Sequence, residues 1–164
     1  MANNNHFSLT LDTQAPTGAI EAQRYYKEND TVTITYQSAT FMKVWFNTNQ
    51  VGTKNDDGFI NAQWKDVAAS EATTFSTSGN YYYHLVLMDD VGNQSDVFNT
   101  SIITYDNVIP TVSNVTLNDG AAYTISRTIT VKFDFADPTP GSGIASGTIS
   151  GNISNSPVAV TFTA

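Results

Sequence analysis

Alternating polar and apolar residues run through most of the chain and predict β-strands. The alternation is clearest at 81–88, where Tyr83, Leu85 and Leu87 share one side and His84 the other. Gly, Asn, Asp and Ser interrupt the pattern about every 8 to 12 residues, as turns do in all-β proteins. The strands predicted in the first part of the chain are 18–22, 31–38, 41–47, 59–64, 73–76, 81–88 and 96–105.

A short phrase occurs twice in the sequence. Thr-Leu-Asp-Thr-Gln-Ala-Pro-Thr at 10–17 returns as Thr-Tyr-Asp-Asn-Val-Ile-Pro-Thr at 104–111, about 94 residues later. A strand pattern follows each copy at a similar distance, at 31–36 and at 128–133. Because about 100 residues make one small β-sandwich, the repeat predicts tandem β-sandwich modules.

The repeat also sets the expected domain boundaries. We expect an N-terminal docking strand at 1–12, a first β-sandwich domain at 13–106 and a second at 107–164. The second is expected to be incomplete, since it is much shorter than the roughly 100 residues of a full sandwich. The inward positions predicted for the first domain are Val32, Ile34, Tyr36, Val44, Trp64, Tyr83, Leu85 and Leu87.

Composition and charge narrow the classes of function. The formal charge is -8 with seven Lys and Arg residues, which argues against nucleic-acid binding because phosphate contacts need clustered cations. The chain has no cysteine, so disulfides and thiolate metal sites are excluded. No apolar run approaches the roughly 20 residues of a membrane span, and residues 1–6 do not resemble a signal peptide.

Several turn motifs resemble those of a known family. Asp90-Val91-Gly92-Asn93-Gln94-Ser95, followed by a strand that ends in Asp106 with Pro110 shortly after, is similar to the bacterial and phage immunoglobulin-like (Big-type) repeats. Asp137 followed by Ser142-Gly143-Ile144 resembles another turn of those repeats, and 41–45 resembles their third strand. The resemblance implies an all-β fold of tandem immunoglobulin-like sandwiches with Greek-key connections, an immunoglobulin-like domain at 13–106 and an incomplete one at 107–164. The opening at 6–12 resembles the starts of phage tail and baseplate proteins of this type.

Candidate catalytic residues are few. A nucleophilic triad needs a histidine beside a Ser or Cys and a carboxylate, and the chain has only His6, in the N-terminal segment, and His84, in the middle of a predicted strand. We therefore expect no enzymatic activity and no cofactor.

An acidic hairpin is a weak calcium candidate. Its oxygen-bearing side chains are those of Asp89, Asp90, Asn93 and Asp96, and hard oxygen ligands are what Ca²⁺ prefers. An Asx turn explains the same residues without a metal, and the spacing is not that of an EF-hand. Both interpretations stay open, with the turn preferred.

Two candidate interaction surfaces follow from the strand faces. Trp45, Tyr82 and His84 are expected on one outer face, where rings can bind sugars or protein partners. The alternative is that a neighbouring strand or subunit covers them, or that they are half-exposed strand residues without a binding role.

The second surface is the N-terminal strand. Phe7, Leu9 and Leu11 align with the last strand of the first module, so residues 6–12 are expected to act as an assembly strand. Pairing within their own module is the alternative.

These expectations favour a non-enzymatic structural or adhesive virion component, in a phage tail, baseplate or fibre. The expected partners are other virion structural proteins in a multimer and a host-surface glycan or protein. The alternatives are a bacterial cell-surface adhesin or stalk repeat, and a carbohydrate-binding accessory module of a secreted hydrolase.

Overall fold

The computed structural model describes residues 10–27, 29–72, 74–123, 125, 129–153 and 156–163, and nearly all of its regular structure is β. The strands are β1 (Thr17–Glu21), β2 (Tyr25–Tyr26), β3 (Thr31–Gln37), β4 (Phe41–Asn47), β5 (Lys65–Asp66), β6 (Ser70–Ala72), β7 (Gly79–Met88), β8 (Phe98–Asn99), β9 (Ile103–Tyr105), β10 (Thr111–Leu117), β11 (Val131–Ala136), β12 (Ser146–Ile153) and β13 (Ser156–Thr163). The helical elements among the described residues are α1 (Asp57–Asn61) and a 3-10 turn at Asn118–Gly120. The all-β prediction is confirmed.

The chain forms two compact units. The first runs to Ser76 and resumes with Asn80–Ile103, and the second combines Thr77–Gly79 with the chain from Thr104 onward.

Two sheets build the first unit. One has the strand order β1-β3-β6, and the other has the order β2-β9-β7-β4-β5 with β8 also paired to β7. Strands β4 and β7 pair antiparallel over their whole shared length, from Phe41 opposite Met88 to Asn47 opposite Tyr82.

A single apolar core joins the two sheets and gives the first unit a sandwich-like character. It contains Ile20 and Ile34 from the first sheet together with Met42, Leu85 and Leu87 from the second. Since strand side chains alternate between faces, this packing requires one apolar face on each sheet.

The predicted core positions are largely confirmed. Val32, Ile34, Tyr83, Leu85 and Leu87 are all buried in the core cluster, and Val44 packs against it. Two predicted members differ. Tyr36 lies at the end of β3 and is 38% exposed, and Trp64 contacts Lys43 and Phe59 on the opposite face of the second sheet.

The predicted strand at 59–64 is wrong, because residues 59–61 are the end of the helix α1 and residues 62–64 lie in no regular element. A short apolar run does not distinguish helix from strand by its alternation alone. The sequence Asp56-Asp57-Gly58 supplies the acidic first turn that favours a helix start.

Two other predicted strands also differ from the structure. The strand expected at 73–76 is replaced by β6 slightly earlier, with residue 73 outside the described residues, and the one expected at 96–105 is divided into β8 and β9.

The second unit contains two separate antiparallel ribbons, β10-β11 and β12-β13. Every residue of β10 is exposed. The side chains of Val112 and Phe135 lie opposite each other across the ribbon and are 61% and 51% exposed. The apolar cross-strand pair of this ribbon is therefore exposed, whereas apolar pairs within the first unit are covered by the facing sheet of that unit.

Candidate functional site

The side of the second sheet that faces away from the core is covered by residues 48–64, here named the cover segment. Lys43 and Trp45 of β4 and His84 of β7 lie beneath it, with Trp45 5% and His84 0% exposed. The Trp45 and His84 rings pack with centroids 5.2 Å apart. Sequence alternation placed these side chains on one face, and the cover segment buries them there.

Two glycines bring the cover segment into direct contact with these rings. A Cβ added at Gly52 would lie 2.5 Å from the His84 ring, and one added at Gly58 would lie 2.6 Å from Trp45 Cδ1. Distances this short exclude a side chain unless the ring moves. The backbone approaches both rings as closely as it does because these positions lack a Cβ.

Asp56 fastens the cover segment to β4. Its Oδ2 accepts hydrogen bonds from Trp45 Nε1 at 3.2 Å, Asn47 Nδ2 at 3.1 Å and the Thr53 backbone N–H at 3.0 Å. Its Oδ1 accepts from the Thr53 hydroxyl at 2.8 Å. Asp56 occupies the N-cap position of α1 without bonding the helix through its side chain, because the carboxylate is engaged with these donors.

The donors around Asp56 stabilise its charged form. The hydrogen bond from the Thr53 backbone is the largest influence and lowers the pKa of Asp56, with further lowering by the Thr53 hydroxyl and Trp45. The carboxylate is therefore ionised at neutral pH and presents a negative charge at the edge of the Trp45–His84 pair.

Both ring nitrogens of His84 are engaged by asparagines. Nδ1 lies 2.7 Å from Asn99 Oδ1, and Nε2 lies 2.9 Å from Asn47 Oδ1. Burial lowers the pKa of His84, while the contact with Asn99 and the charge of Asp56 act in the opposite direction without reversing the shift. The imidazole thus links β4 to β8, and the cover segment joins this network through the Gly52 N–H, which donates to Asn99 Oδ1 at 2.9 Å.

Lys43 anchors the far end of the cover segment. Its ammonium donates to the Phe59 carbonyl at 3.0 Å and lies 4.5 Å from the centre of the Phe59 ring and 5.3 Å from that of Trp64. A buried cation needs such partners, and the two rings supply them together with the carbonyl. Lys43 therefore ties α1 to β4.

The three residues of the predicted outer patch are adjacent in the structure, but they are not equally accessible. Tyr82 is half-buried, opposite Asn47 on β4. Trp45 and His84 are buried by the cover segment, which is neither the neighbouring strand nor the subunit that the sequence suggested as a cover. The rings of Trp45 and His84 therefore offer no exposed face to a partner.

Sequence reasoning missed the residues that organise this face, namely Asn47, Gly52, Asp56, Gly58 and Asn99. The available signal was His84 itself. A histidine on the strand face opposite the leucines needs polar partners for two ring nitrogens, and asparagines near the ends of neighbouring strands can provide them.

The acidic hairpin forms an Asx turn around Asp89. Its Oδ1 accepts from the backbone N–H groups of Val91 at 3.0 Å and Asn93 at 2.8 Å, and its Oδ2 accepts from Asn93 Nδ2 at 2.8 Å. Burial alone would raise the pKa of Asp89, but the bonds from Asn93, Val91 and Gly92 outweigh it and lower the pKa.

Of the other predicted calcium ligands, Asn93 is bonded to Asp89, whereas Asp90 and Asp96 are exposed. Within the described ranges, no three His, Cys, Asp or Glu side chains form a group that could hold a metal ion.

The proposed assembly strand is described only in part. Phe7 and Leu9 lie outside the described residues, and Leu11 is 82% exposed and outside any strand. The adjacent Asp12 carbonyl accepts a hydrogen bond from Asn93 Nδ2 at 3.2 Å. This bond connects the start of the described chain to the acidic hairpin.

The two copies of the repeated phrase have the same local structure. Asp12 Oδ1 accepts from the Gln14 N–H at 2.9 Å, and Asp106 Oδ1 accepts from the Val108 N–H at 3.0 Å. A strand then begins at the corresponding threonine, β1 in the first copy and β10 in the second. The aspartate of each copy thus closes an Asx turn before a strand.

A second aromatic cluster, not anticipated from the sequence, lies at one end of the core. Phe75 stacks on Tyr81 with centroids 4.5 Å apart, and Phe46 meets both rings edge-on. Phe46 is 40% exposed. An open cleft of about 280 Å³ beside it is lined in part by Glu71 and Tyr83.

Among the described residues, no helix is long and apolar enough to cross a membrane. Comparison of the chain with protein-family models, curated proteins and solved structures gives no match.

Proposed function

We propose that the chain is a non-enzymatic structural or adhesive virion component, built of tandem immunoglobulin-like modules in a phage tail, baseplate or fibre. The supporting observation is the repeated phrase, which forms an Asx turn followed by a strand in both units. Repetition of a folded unit is typical of spacers and fibres. The phage assignment rests on the resemblance of the turn motifs and of residues 6–12 to phage immunoglobulin-like proteins.

The first test is the location of the protein. An antibody raised against the first unit should label purified phage particles in immunogold electron microscopy. The same antibody should precipitate the chain from the dissociated proteins of these particles. Labelling of the bacterial cell surface in cultures free of phage would support the adhesin alternative instead. Finding the chain in neither place would contradict both assignments.

Assembly through residues 6–12 is a second part of the proposal. An apolar alternating segment can add to a sheet edge of a partner, where backbone hydrogen bonds give direction to the contact. Deleting residues 1–12 from the phage gene should abolish incorporation of the protein into particles.

Two controls accompany this deletion. The tryptophan fluorescence of the first unit should stay native, because its core cluster lies beyond residue 12. As a matched surface change, Val91→Ser alters an exposed residue of the acidic hairpin and should leave incorporation intact. Normal incorporation of the deletion variant would contradict the docking strand.

The carbohydrate-binding alternative is favoured by the aromatic cluster at Phe46, Phe75 and Tyr81. Partly exposed rings beside an acidic residue are a common arrangement for sugar recognition. A glycan array probed with the intact protein, and repeated with Phe46→Ala, tests it. Binding that Phe46→Ala removes would support this function, and absence of binding to every glycan would contradict it.

A further inference from the structure

The buried imidazole of His84 faces an amide oxygen at each ring nitrogen, Asn99 Oδ1 at 2.7 Å and Asn47 Oδ1 at 2.9 Å. A neutral imidazole has one N–H and one lone pair, and therefore donates at only one nitrogen. Two fixed acceptors fit only the doubly protonated ring. One of the two asparagines must adjust when His84 is neutral.

The orientation of Asn47 is fixed by its neighbours. Its Nδ2 donates to Asp56 Oδ2 at 3.1 Å, and its Oδ1 accepts from the Asn49 N–H at 2.8 Å. Turning this amide would place an oxygen against the Asp56 carboxylate and leave the Asn49 N–H without its acceptor. His84 Nε2 therefore carries a proton in both charge states.

Asn99 is the adjustable partner. Its Oδ1 accepts from the Gly52 N–H at 2.9 Å as well as facing His84 Nδ1, but its Nδ2 makes a long bond of 3.4 Å to the Val97 carbonyl. When His84 is neutral, turning the Asn99 amide lets Nδ2 donate to the Nδ1 lone pair. That turn removes the acceptor of Gly52.

We propose that protonation of His84 at Nδ1 controls the Gly52–Asn99 hydrogen bond and so the attachment of the cover segment over Trp45 and His84. In the cationic state Asn99 Oδ1 accepts from both His84 and Gly52, and the segment is fastened at Gly52. In the neutral state the Asn99 amide turns and that fastening is released, while Asp56 continues to hold the other attachment. The cover segment is thus a strap whose closure is coupled to pH.

The charged side chains on the elements packed against His84 are few. Lys43 lies on β4, and Lys54, Asp56 and Asp57 lie on the cover segment, while β8 carries none. The nearby titratable residue on β7 itself is Tyr82. Of the four charges, Asp56 is the one joined to His84 through Asn47, and its negative charge favours the imidazolium.

Burial sets the direction in which the switch midpoint is displaced. It lowers the pKa of His84 from the ordinary value of 6.5, with Asn99 and Asp56 opposing the shift. At neutral pH the ring is therefore mainly neutral, and acidification through its pKa fastens Gly52.

Nuclear magnetic resonance on the intact protein tests the coupling directly. The ring nitrogens of His84 and the backbone amide of Gly52 are followed together from about pH 8 to pH 4, a range that brackets the ordinary histidine pKa. We expect the neutral ring to carry its proton on Nε2. The Gly52 amide should titrate with the same midpoint as the ring, and its hydrogen-exchange protection should rise on the acid side.

Asn99→Asp sharpens the test, because a carboxylate accepts from Gly52 and His84 at once and adds a charge beside the ring. It should raise the pKa of His84 by roughly one unit or more. It should also abolish the Gly52 transition, because a carboxylate has no N–H to turn toward the neutral ring and accepts from Gly52 in both charge states. Asn55→Asp is the matched control, since it adds the same charge at an exposed position of the cover segment and should shift the midpoint far less.

The wild-type titration decides the proposal even if Asn99→Asp does not fold. A Gly52 amide that stays constant while His84 titrates would overturn it, as would a neutral His84 with its proton on Nδ1. A midpoint moved equally by Asn55→Asp and Asn99→Asp would show a general charge effect rather than the Asn99 contact.

Discussion

The β1–β3 pair and the β10–β11 pair begin with the same phrase and reach opposite outcomes. In the first, Ile20 lies opposite Ile34, and both are buried. In the second, Val112 lies opposite Phe135, and both are more than half exposed. The phrase and the alternation suffice to form the strand pair, but burial of its apolar face depends on a second sheet.

The covering sheet accounts for an energetic difference between the two pairs. Burying a large apolar side chain stabilises a protein by about 1.5 to 3 kcal/mol relative to leaving it exposed. Ile20 and Ile34 gain this from the sheet that carries Leu85 and Leu87. Isolated two-stranded ribbons are marginal in water, so we expect the second unit to be the less stable one.

The largest expected effect is on the core of the first unit. Leu85→Ala removes a side chain with 0% exposure and should cost about 2 to 5 kcal/mol of unfolding free energy. Val112→Ala, at the exposed ribbon, should cost less than about 0.5 kcal/mol.

Urea unfolding measures both substitutions. Tryptophan fluorescence follows the first unit, which contains Trp45 and Trp64, and circular dichroism follows the whole chain. Equal losses for Leu85→Ala and Val112→Ala would show that the ribbon face is as well packed as the core, and would remove the contrast.

Sequence alternation was enough to predict the faces of β3, β4 and β7, because a buried strand face imposes a period of two on its residues. It was not enough for the cover segment. Its helix at 57–61 is held against β4 by contacts distant in sequence, such as that of Lys43 with the Phe59 carbonyl. Sequence alternation also could not predict the hydrogen-bond partners of His84, because Asn47 and Asn99 come together only after three strands have paired.

Amide hydrogen exchange provides the next test of the comparison. The protection factors of β7 amides, which compare intrinsic with observed exchange rates, should be roughly 100-fold or more higher than those of β10 amides. The reason is that a ribbon without a core opens more easily than a central strand. Mass spectrometry of peptides from the two strands measures this. If β10 is as protected as β7, a partner must cover its apolar face. Repeating the exchange at several protein concentrations would then reveal whether that partner is a second copy.

A smaller effect is expected from pH. Burial lowers the pKa of His84 in the folded state, so the unfolded state binds the proton more tightly and stability falls as pH drops below the ordinary value of 6.5. A second loss should begin near the ordinary carboxyl value of 3.8, since Asp56 and Asp89 have lowered pKa values in the fold.

Urea midpoints from tryptophan fluorescence between pH 8 and pH 3 should show these two stages. In His84→Gln the first stage should disappear while the second remains. The substitution Asp90→Asn, at an exposed position, should leave both stages of the stability loss unchanged. Stability that rises on acidification through pH 6 would contradict the expected sign for His84.

The smallest expected effect is that of calcium on the acidic hairpin, where we expect no change in stability. Asp89 has both carboxylate oxygens engaged by Val91 and Asn93, so the turn is complete without an ion. A metal that binds the folded state raises its stability with concentration. Chelator and millimolar Ca²⁺ should therefore give the same melting temperature, measured by tryptophan fluorescence. A rise with Ca²⁺ that Asp90→Ala abolishes would show instead that the hairpin takes oxygen ligands from beyond the Asx turn, and that the first unit depends on an ion as well as on its core.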